Sequence, residues 1–242
     1  MSSFSRSVRD FWRAPFTNGE VLYADESFVV VINRDLSDDR RVMVLETMDG
    51  KVVAALTPEL ADKLDFQQQQ ELSKQSFRQS LKDAEIALHG ADYLFYFSES
   101  AGRDLLQESA PDGLRQLTAQ DRAVFDEFQA AASEQDLDDA YVDLDHWAVF
   151  GSFENNRLVS AASMYPWRNS SMADIGILTL PRSRKKGHAR KVVRSSSRHA
   201  IALGYEPQYR CQLDNHASRA VAAAAGLTLF GKWEVISPDS TA

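Results

Sequence analysis

The sequence of 242 residues contains a single cysteine, Cys211, which cannot form a disulfide within the chain. In its β-rich surroundings, a buried small hydrophobic side chain is a simpler interpretation than a catalytic thiol. No apolar run approaches the length that spans a membrane, and the first ten residues are polar, without the apolar core of a signal peptide. These absences predict a soluble, cytoplasmic protein with no membrane partner.

Metal-ligand patterns are also missing. The histidines are not clustered with cysteine at zinc-ligand spacing. They are His89, His146, His188, His199 and His216. The stretch from Glu134 to Asp145 is acidic enough for a calcium loop, but the sixth position of such a loop requires glycine and Tyr141 occupies it. We therefore predict no metal cofactor.

Positive charge is scarce overall but concentrated in one segment. The net charge of −8 argues against general affinity for nucleic acid. No acid lies between Ile175 and Tyr205, and no aromatic residue interleaves the cations there, so a bound phosphate compound is a better explanation than nucleic acid. The cations are Arg182, Arg184, Lys185, Lys186, Arg190, Lys191, Arg194 and Arg198. The last three arginines share one helix face at four-residue spacing, which is typical of a solvated surface.

The first half of the chain has the pattern of a small α+β domain. Four short β-rich runs, at 21–23, 28–32, 42–46 and 51–56, precede a helix that begins at Thr57-Pro58. A longer helix with one apolar stripe is predicted to end at His89-Gly90, and a buried strand follows at 93–97. The glutamine run at 67–70 is most simply a solvated helix or linker. The polar stretch 98–113 predicts a boundary, giving domains 1–110 and 111–242.

The second half alternates strands and helices in a recognisable order. A strand at 114–117 leads to a helix capped by Thr118, and a hairpin follows at 147–153 and 157–165. A strand at 174–180 stops at Pro181, and the chain enters a long amphipathic helix through Gly187. A helix start offers unpaired N–H groups and positive dipole charge to phosphate. Gly187 and Ala189 leave this backbone uncovered.

This segment resembles the acyl-coenzyme-A signature of the GNAT N-acyltransferase superfamily, Arg/Gln-x-x-Gly-x-Gly/Ala, at Arg184, Gly187 and Ala189. A second motif of the superfamily is similar to Asn215 through Ser218, followed by an alanine-rich helix and Gly226-Leu227, with leucine replacing the usual aromatic residue. The resemblance covers about residues 114–236.

The resemblance implies an α+β fold, with a mixed, mostly antiparallel sheet, helices on both faces and a splayed parallel strand pair at 174–180 and 208–213. The first half of the chain is then either a degenerate second copy of this fold or an unrelated small α+β domain.

The resemblance also implies N-acetyl transfer from acetyl-coenzyme A to a primary amine. It assigns coenzyme-A binding to the backbone of Leu178, Thr179 and Leu180, to the loop residues Arg184, Lys185, Lys186, Gly187, His188 and Ala189, and to Asn215 and Ser218. The alternatives are a catalytically silent acyl-coenzyme-A sensor and a nucleic-acid-binding protein. The acceptor's identity and the oligomeric state, a homodimer included, stay open.

An alkylammonium acceptor must lose a proton before it attacks, so a base is required. Asp174 stands where many members of the superfamily carry an acid, although it could merely solvate a strand end. Glu154, a hairpin-turn residue, and His146 are further candidates for the base.

The general acid is open, because Ala222 occupies the position of the tyrosine that some relatives use. Tyr165 is our candidate, with packing as its alternative role, and Tyr205, Tyr209 or water could also serve. The acidic stretch 134–145 is either a rim that attracts a cationic amine or a solvated loop.

Overall fold

The structure is a computed structural model that describes residues 4–66 and 72–240, so the glutamine run at 67–70 lies outside the described residues. The helices are α1 (Arg6–Thr17), α2 (Pro58–Lys63), α3 (Lys74–Asp83), α4 (Glu99–Leu106), α5 (Arg122–Ala130), α6 (Glu134–Ala140), α7 (His188–Ala202) and α8 (His216–Ala225). The strands are β1 (Glu20–Ala24), β2 (Phe28–Ile32), β3 (Val42–Thr47), β4 (Val52–Leu56), β5 (Asp92–Tyr96), β6 (Leu114–Leu117), β7 (Ala148–Glu154), β8 (Arg157–Pro166), β9 (Met172–Thr179), β10 (Glu206–Gln212) and β11 (Thr228–Val235).

The chain divides into two compact units. The C-terminal unit consists mainly of Phe95–Arg210 and Asn215–Thr228, and the N-terminal unit of Arg6–Leu94, Cys211–Asp214 and Leu229–Ala242. These units differ from a division at 110/111, because most of the last strand, β11, pairs with β3 of the N-terminal unit. The assignment of 1–110 and 111–242 as domains stays a prediction.

In the N-terminal unit, strands lie in the order β1-β2-β4-β3-β11. β2 and β4 are parallel and paired over their whole length, Phe28–Ile32 against Val52–Leu56. The alternating apolar residues of these strands form one core with the buried faces of α2 and α3. β2 pairs with β4 and not with β3, so the consecutive strand order that runs from β6 to β9 is broken here, which favours a separate α+β domain over a degenerate copy.

In the C-terminal unit, strands lie in the order β10-β9-β8-β7-β6, and β9 with β10 is the one parallel pair among these five. Helices cover both faces. Val149 of β7 packs in a core with Phe125 and Phe128 of α5, whereas the next residue, Phe150, contacts His199 of α7. Successive side chains of a strand point to opposite faces. The predicted mixed, mostly antiparallel sheet with helices on both faces is confirmed.

One local prediction is wrong. α3 ends at Asp83 and not at His89, because Glu85 adopts a left-handed backbone with φ 59°. The polar stretch 98–113, which the sequence predicts as a boundary, contains α4. The side chain of Ser98 accepts the N–H of Ala101 at 3.2 Å, a helix-capping bond, and Leu105 of α4 is buried.

Candidate functional site

A wedge opens between β9 and β10 of the C-terminal unit. The two strands pair only from Met172 to Asp174 on β9 and from Glu206 to Gln208 on β10. Beyond that point β9 runs on to Thr179, and β10 continues to Arg210 within this unit, without further pairing to each other. This is the splayed parallel pair that the sequence predicts. It leaves one edge of β9 with backbone groups that β10 does not use.

The register shows which backbone groups face the wedge. The N–H of Leu180 donates to the carbonyl of Val159 in β8 at 2.9 Å. Alternate residues of a paired strand direct their backbone groups to opposite edges. Ile177 and Thr179 therefore face the wedge, and Leu178 and Leu180 face β8. The prediction that Leu178 and Leu180 offer their backbone to a ligand is corrected, because their backbone groups face β8, and Ile177, which the sequence analysis missed, faces the wedge with Thr179.

The far end of β9 leads into the start of α7. Gly187 is the residue before the helix and has φ 85°, a left-handed conformation that favours glycine. A Cβ added to Gly187 would meet no atom within 4 Å, so the space in front of the helix is open. The first N–H groups of α7, from His188 to Arg190, have no acceptor within the helix. This arrangement can hold a phosphate at the positive end of the helix dipole.

Two cations of this loop, Arg184 and Lys186, pair with acids. The guanidinium of Arg184 donates to the carbonyl of Thr179 at 3.1 Å and to the carboxylate of Asp136 on α6 at 2.8 Å. The ammonium of Lys186 lies 2.9 Å from the carboxylate of Glu154, and this hydrogen bond lowers the pKa of Glu154. Glu154, a predicted catalytic candidate, thus lies beside the loop that leads into α7, as the partner of Lys186.

Three further residues of the predicted cofactor site have roles in local structure. His188 shares a hydrogen bond of 2.9 Å between its Nδ1 and the hydroxyl of Ser152, and burial lowers its pKa. The side-chain oxygen of Asn215 accepts the N–H of Ser218 at 2.9 Å and so caps α8. Coenzyme-A contacts by these residues stay predictions.

The arginines farther along α7 are not a merely solvated face. Arg190 donates to the carbonyl of Ala224 at 3.0 Å, and Arg194 donates to the carbonyl of Ala225, so both bind the C-terminal end of α8. Arg194 also pairs with the carboxylate of Glu108, and Arg198 donates to the backbone carbonyl of that residue. Positive side chains at a helix C-terminus stabilise the negative end of its dipole.

At the point where the wedge begins, Asp174 is buried within a set of four donor atoms. Arg210 donates from Nε and Nη2 to its two oxygens at 3.0 and 2.7 Å, Gln208 donates at 2.8 Å, and Tyr165 donates at 3.3 Å. The guanidinium of Arg210 also lies 4.9 Å from the ring centre of Trp167. Asp174 is 6% exposed, so the alternative that it solvates a strand end is wrong. A carboxylate that accepts hydrogen bonds from four donor atoms has few lone pairs left to accept another from an amine.

Tyr165 connects this network to two other rings. Burial and the nearby carboxylate of Asp174 raise its pKa to about 12, so its hydroxyl stays protonated near neutral pH. Its ring centre lies 5.0 Å from that of His146 and 5.8 Å from that of Tyr141, and the latter two are 5.1 Å apart. We call Tyr141, His146 and Tyr165 the aromatic cluster.

His146 is the best-placed proton acceptor of this group. Its Nδ1 lies 2.8 Å from the hydroxyl of Ser163, and its Nε2 has no hydrogen-bond partner among the residues that the structure describes. Burial lowers its pKa, although the charges of Asp143 and Asp145 act in the opposite direction. The imidazole is therefore mostly neutral near neutral pH, as a base must be.

A close backbone contact brings the end of α6 onto β9. A Cβ at Gly176 would overlap the carbonyl oxygens of Ala140 and Tyr141. Only glycine fits there. A glycine inside an apolar strand is the sequence pattern that could have indicated the close approach of another backbone segment. The acids of this region are partly neutralised, because Asp145 pairs with Arg122. The acidic stretch is therefore not simply a solvated loop.

No group of three or more potential ligands from His, Cys, Asp and Glu is arranged for a metal ion within the described ranges. Within the same ranges, none of the helices combines the length and apolar character that crossing a membrane requires.

A family model described as GNAT acetyltransferase matches residues 56–236 of the chain. Among solved structures, the chain is similar to a GNAT-family acetyltransferase from Colwellia psychrerythraea, at 16% identity over 95% of this chain and 96% of that one, with a TM-score of 0.54. It is also similar to a functionally unknown conserved protein from Staphylococcus epidermidis, at 10% identity over 93% and 96%, with a TM-score of 0.48.

The similarity to a GNAT-family protein from Novosphingobium aromaticivorans has 14% identity and a TM-score of 0.46, and it covers 62% of this chain but only 64% of that one. No curated protein matches the sequence. The likeness to the Colwellia protein shows the fold.

Proposed function

Because the chain belongs to the GNAT acetyltransferase family, whose model matches residues 56–236, we propose that it moves an acetyl group from acetyl-coenzyme A to a primary amine. Acyl transfer follows from the family; the acetyl donor, the amine acceptor and a cytoplasmic location are the proposal. The observation that carries it is the continuous path from the wedge, along the open edge of β9, to the glycine-led start of α7.

We expect the diphosphate of the cofactor to bind the N–H groups at the start of α7, where Gly187 allows close approach. The pantetheine arm then lies in the wedge and pairs with the backbone of Ile177 and Thr179. A backbone N–H of β9 that points at the thioester oxygen would stabilise the negative charge that develops there, a contribution of about 3 kcal/mol. Holding the amine beside the thioester supplies much of the remaining acceleration.

In the reaction, the neutral amine nitrogen attacks the thioester carbonyl carbon, the carbon–sulfur bond breaks, and the amide and a thiolate form. The amine loses one proton to a base, and the thiolate gains one. We propose His146 as the base in preference to Asp174, because the imidazole is neutral and Asp174 already accepts from four donor atoms. The hydroxyl of Tyr165 already donates to the carboxylate of Asp174, so water is our proposed proton source for the thiolate.

Two measurements on the full chain test the proposal. Calorimetry with acetyl-coenzyme A should show binding; no binding would contradict the assignment of the wedge. A thiol-release assay with a panel of primary amines should then show turnover. Binding without release of thiol for any amine would identify the silent sensor. Binding of nucleic acid in place of acetyl-coenzyme A would favour the third alternative, which the engaged arginines of α7 argue against.

A further inference from the structure

Tyr141 is an exposed aromatic residue in an uncommon backbone conformation. It follows α6 as the C-terminal cap and has φ 46°, which is left-handed and at this position is usually adopted by glycine or asparagine. Its side chain is not accounted for by burial, because the residue is 63% exposed. Glycine at position 141 would therefore suit the fold at least as well, and the presence of the tyrosine ring needs another explanation.

The ring stands close to the wedge. Its backbone carbonyl packs on Gly176 of β9, two residues past the point where β9 and β10 separate. Its ring packs edge-on against Tyr165, whose hydroxyl donates to Asp174 at the start of the wedge. A molecule that reaches the wedge on this face of the sheet therefore passes Tyr141.

Tyr141 is flanked by acidic residues, and the aromatic rings beside it carry no charge. Asp138, Asp139 and Asp143 lie within three residues of Tyr141, and among the described residues none of them has a basic ion-pair partner. An aromatic face attracts cations through its quadrupole, and nearby carboxylates add to that attraction. An aromatic acceptor could stack on the Tyr141 ring, but it would gain nothing from the neighbouring carboxylates.

We infer that Tyr141 selects a dicationic acceptor, an aliphatic diamine whose second ammonium rests on the Tyr141 ring while the first reaches the wedge beside Tyr165. This inference rests on the proposed function, because it names the acceptor class of the same site. It goes beyond that function by distinguishing diamines from monoamines and from aryl amines, and by assigning the distinction to one side chain.

The test separates binding from turnover. Calorimetry on the full chain saturated with coenzyme A measures the affinity for 1,4-diaminobutane, butylamine and phenethylamine. We expect the diamine to bind tightest. In Tyr141→Gly its affinity should fall roughly three- to tenfold, the size of a cation–π contact, while the affinity for butylamine stays the same. Equal affinity for diamine and butylamine, or a preference for phenethylamine, would overturn the inference.

Matched variants exclude a structural explanation. Tyr141→Gly relieves the left-handed strain, so its melting temperature should hold or rise, whereas a ring needed for packing would make it fall. Tyr141→Phe keeps the ring and should keep the preference for the diamine. Leu203→Ala removes another exposed apolar side chain and should change neither affinity. Thiol release tests the proposed function separately: a diamine that binds selectively but is not acetylated would support this inference and contradict the acetyl transfer.

Discussion

Each unit contains a parallel strand pair that is followed by a helix, β2 with β4 and β9 with β10, and only the second of these pairs makes a cleft. β2 and β4 stay paired over five residues, and Pro58 begins the six-residue α2 directly after β4. β9 and β10 pair over three residues and separate, and Gly187 directly precedes the 15-residue α7. Both units share the order of a parallel strand pair followed by a helix. Whether such a pair forms a binding site therefore depends on where the pairing of the two strands stops and on which residue lies at the start of the next helix.

The largest expected effect concerns the ion pair at the start of the wedge. Arg210→Met should lower the free energy of unfolding by about 3 kcal/mol, because it leaves the buried carboxylate of Asp174 without its main partner. The N-terminal unit offers the control: the Arg78–Glu234 pair is more exposed, with Arg78 at 38%, and Arg78→Met should cost less than about 1 kcal/mol. Urea denaturation of both variants measures the difference, and similar losses would show that the wedge network has no special role in stability.

Gly187→Val should weaken binding of acetyl-coenzyme A about a hundredfold, equivalent to about 2.7 kcal/mol. The side chain would stand before the open N–H groups of α7 and strain the backbone. Gly50, in the turn between β3 and β4, has nearly the same φ of 84° and equally open space around it. Gly50→Val should therefore lower stability to a similar extent and leave affinity intact. If calorimetry gives the two variants the same affinity, phosphate does not bind at Gly187.

His146→Gln should lower turnover by roughly ten- to a hundredfold and remove the acidic limb of the rate–pH profile. Since burial lowers the pKa of His146, its imidazole stays neutral, and so can act as a base, at pH values below the ordinary histidine pKa of 6.5. In the parent protein, activity should then be lost only as the pH falls below about 6.5. The comparison variant is Asp174→Asn: if that substitution removes the limb and His146→Gln does not, the carboxylate is the base after all.

Arg184→Ala should have the smallest effect, a weakening of acetyl-coenzyme-A binding by a few-fold. It removes one cation and leaves the backbone N–H groups of α7 in place. Calorimetry in low salt gives the comparison with Gly187→Val directly. A loss as large as that of Gly187→Val would mean that side chains, and not the helix start, hold the phosphate.

Much of this fold could be predicted from local pattern. The strands around the hairpin and the Gly187 turn depend on neighbours in sequence, and both predictions are confirmed by the observed elements. Thr118 caps the short 3-10 turn Ala119–Asp121 that precedes α5, and not α5 itself. The partners of Asp174 could not be predicted, because Arg210 lies 36 residues away and only the register of β9 against β10 brings them together.

Register also decides which backbone groups face the wedge. The sequence could not show that the backbone groups of Leu178 and Leu180 face β8 and not the wedge. The extent of α3 could not be read from periodicity, since the apolar stripe continues past Glu85, where the backbone leaves the helix.

Two ion pairs in the loop that leads into α7 should affect how cofactor binding responds to salt. Arg184 and Lys186 are already neutralised by Asp136 and Glu154. A phosphate that takes either cation must displace a carboxylate, so one charge pair is exchanged for another. Dissolved ions screen both pairs alike. Cofactor affinity should therefore vary less with ionic strength than the number of basic residues suggests, and the displaced carboxylates, not counterions from solution, would be the main competitors for the loop.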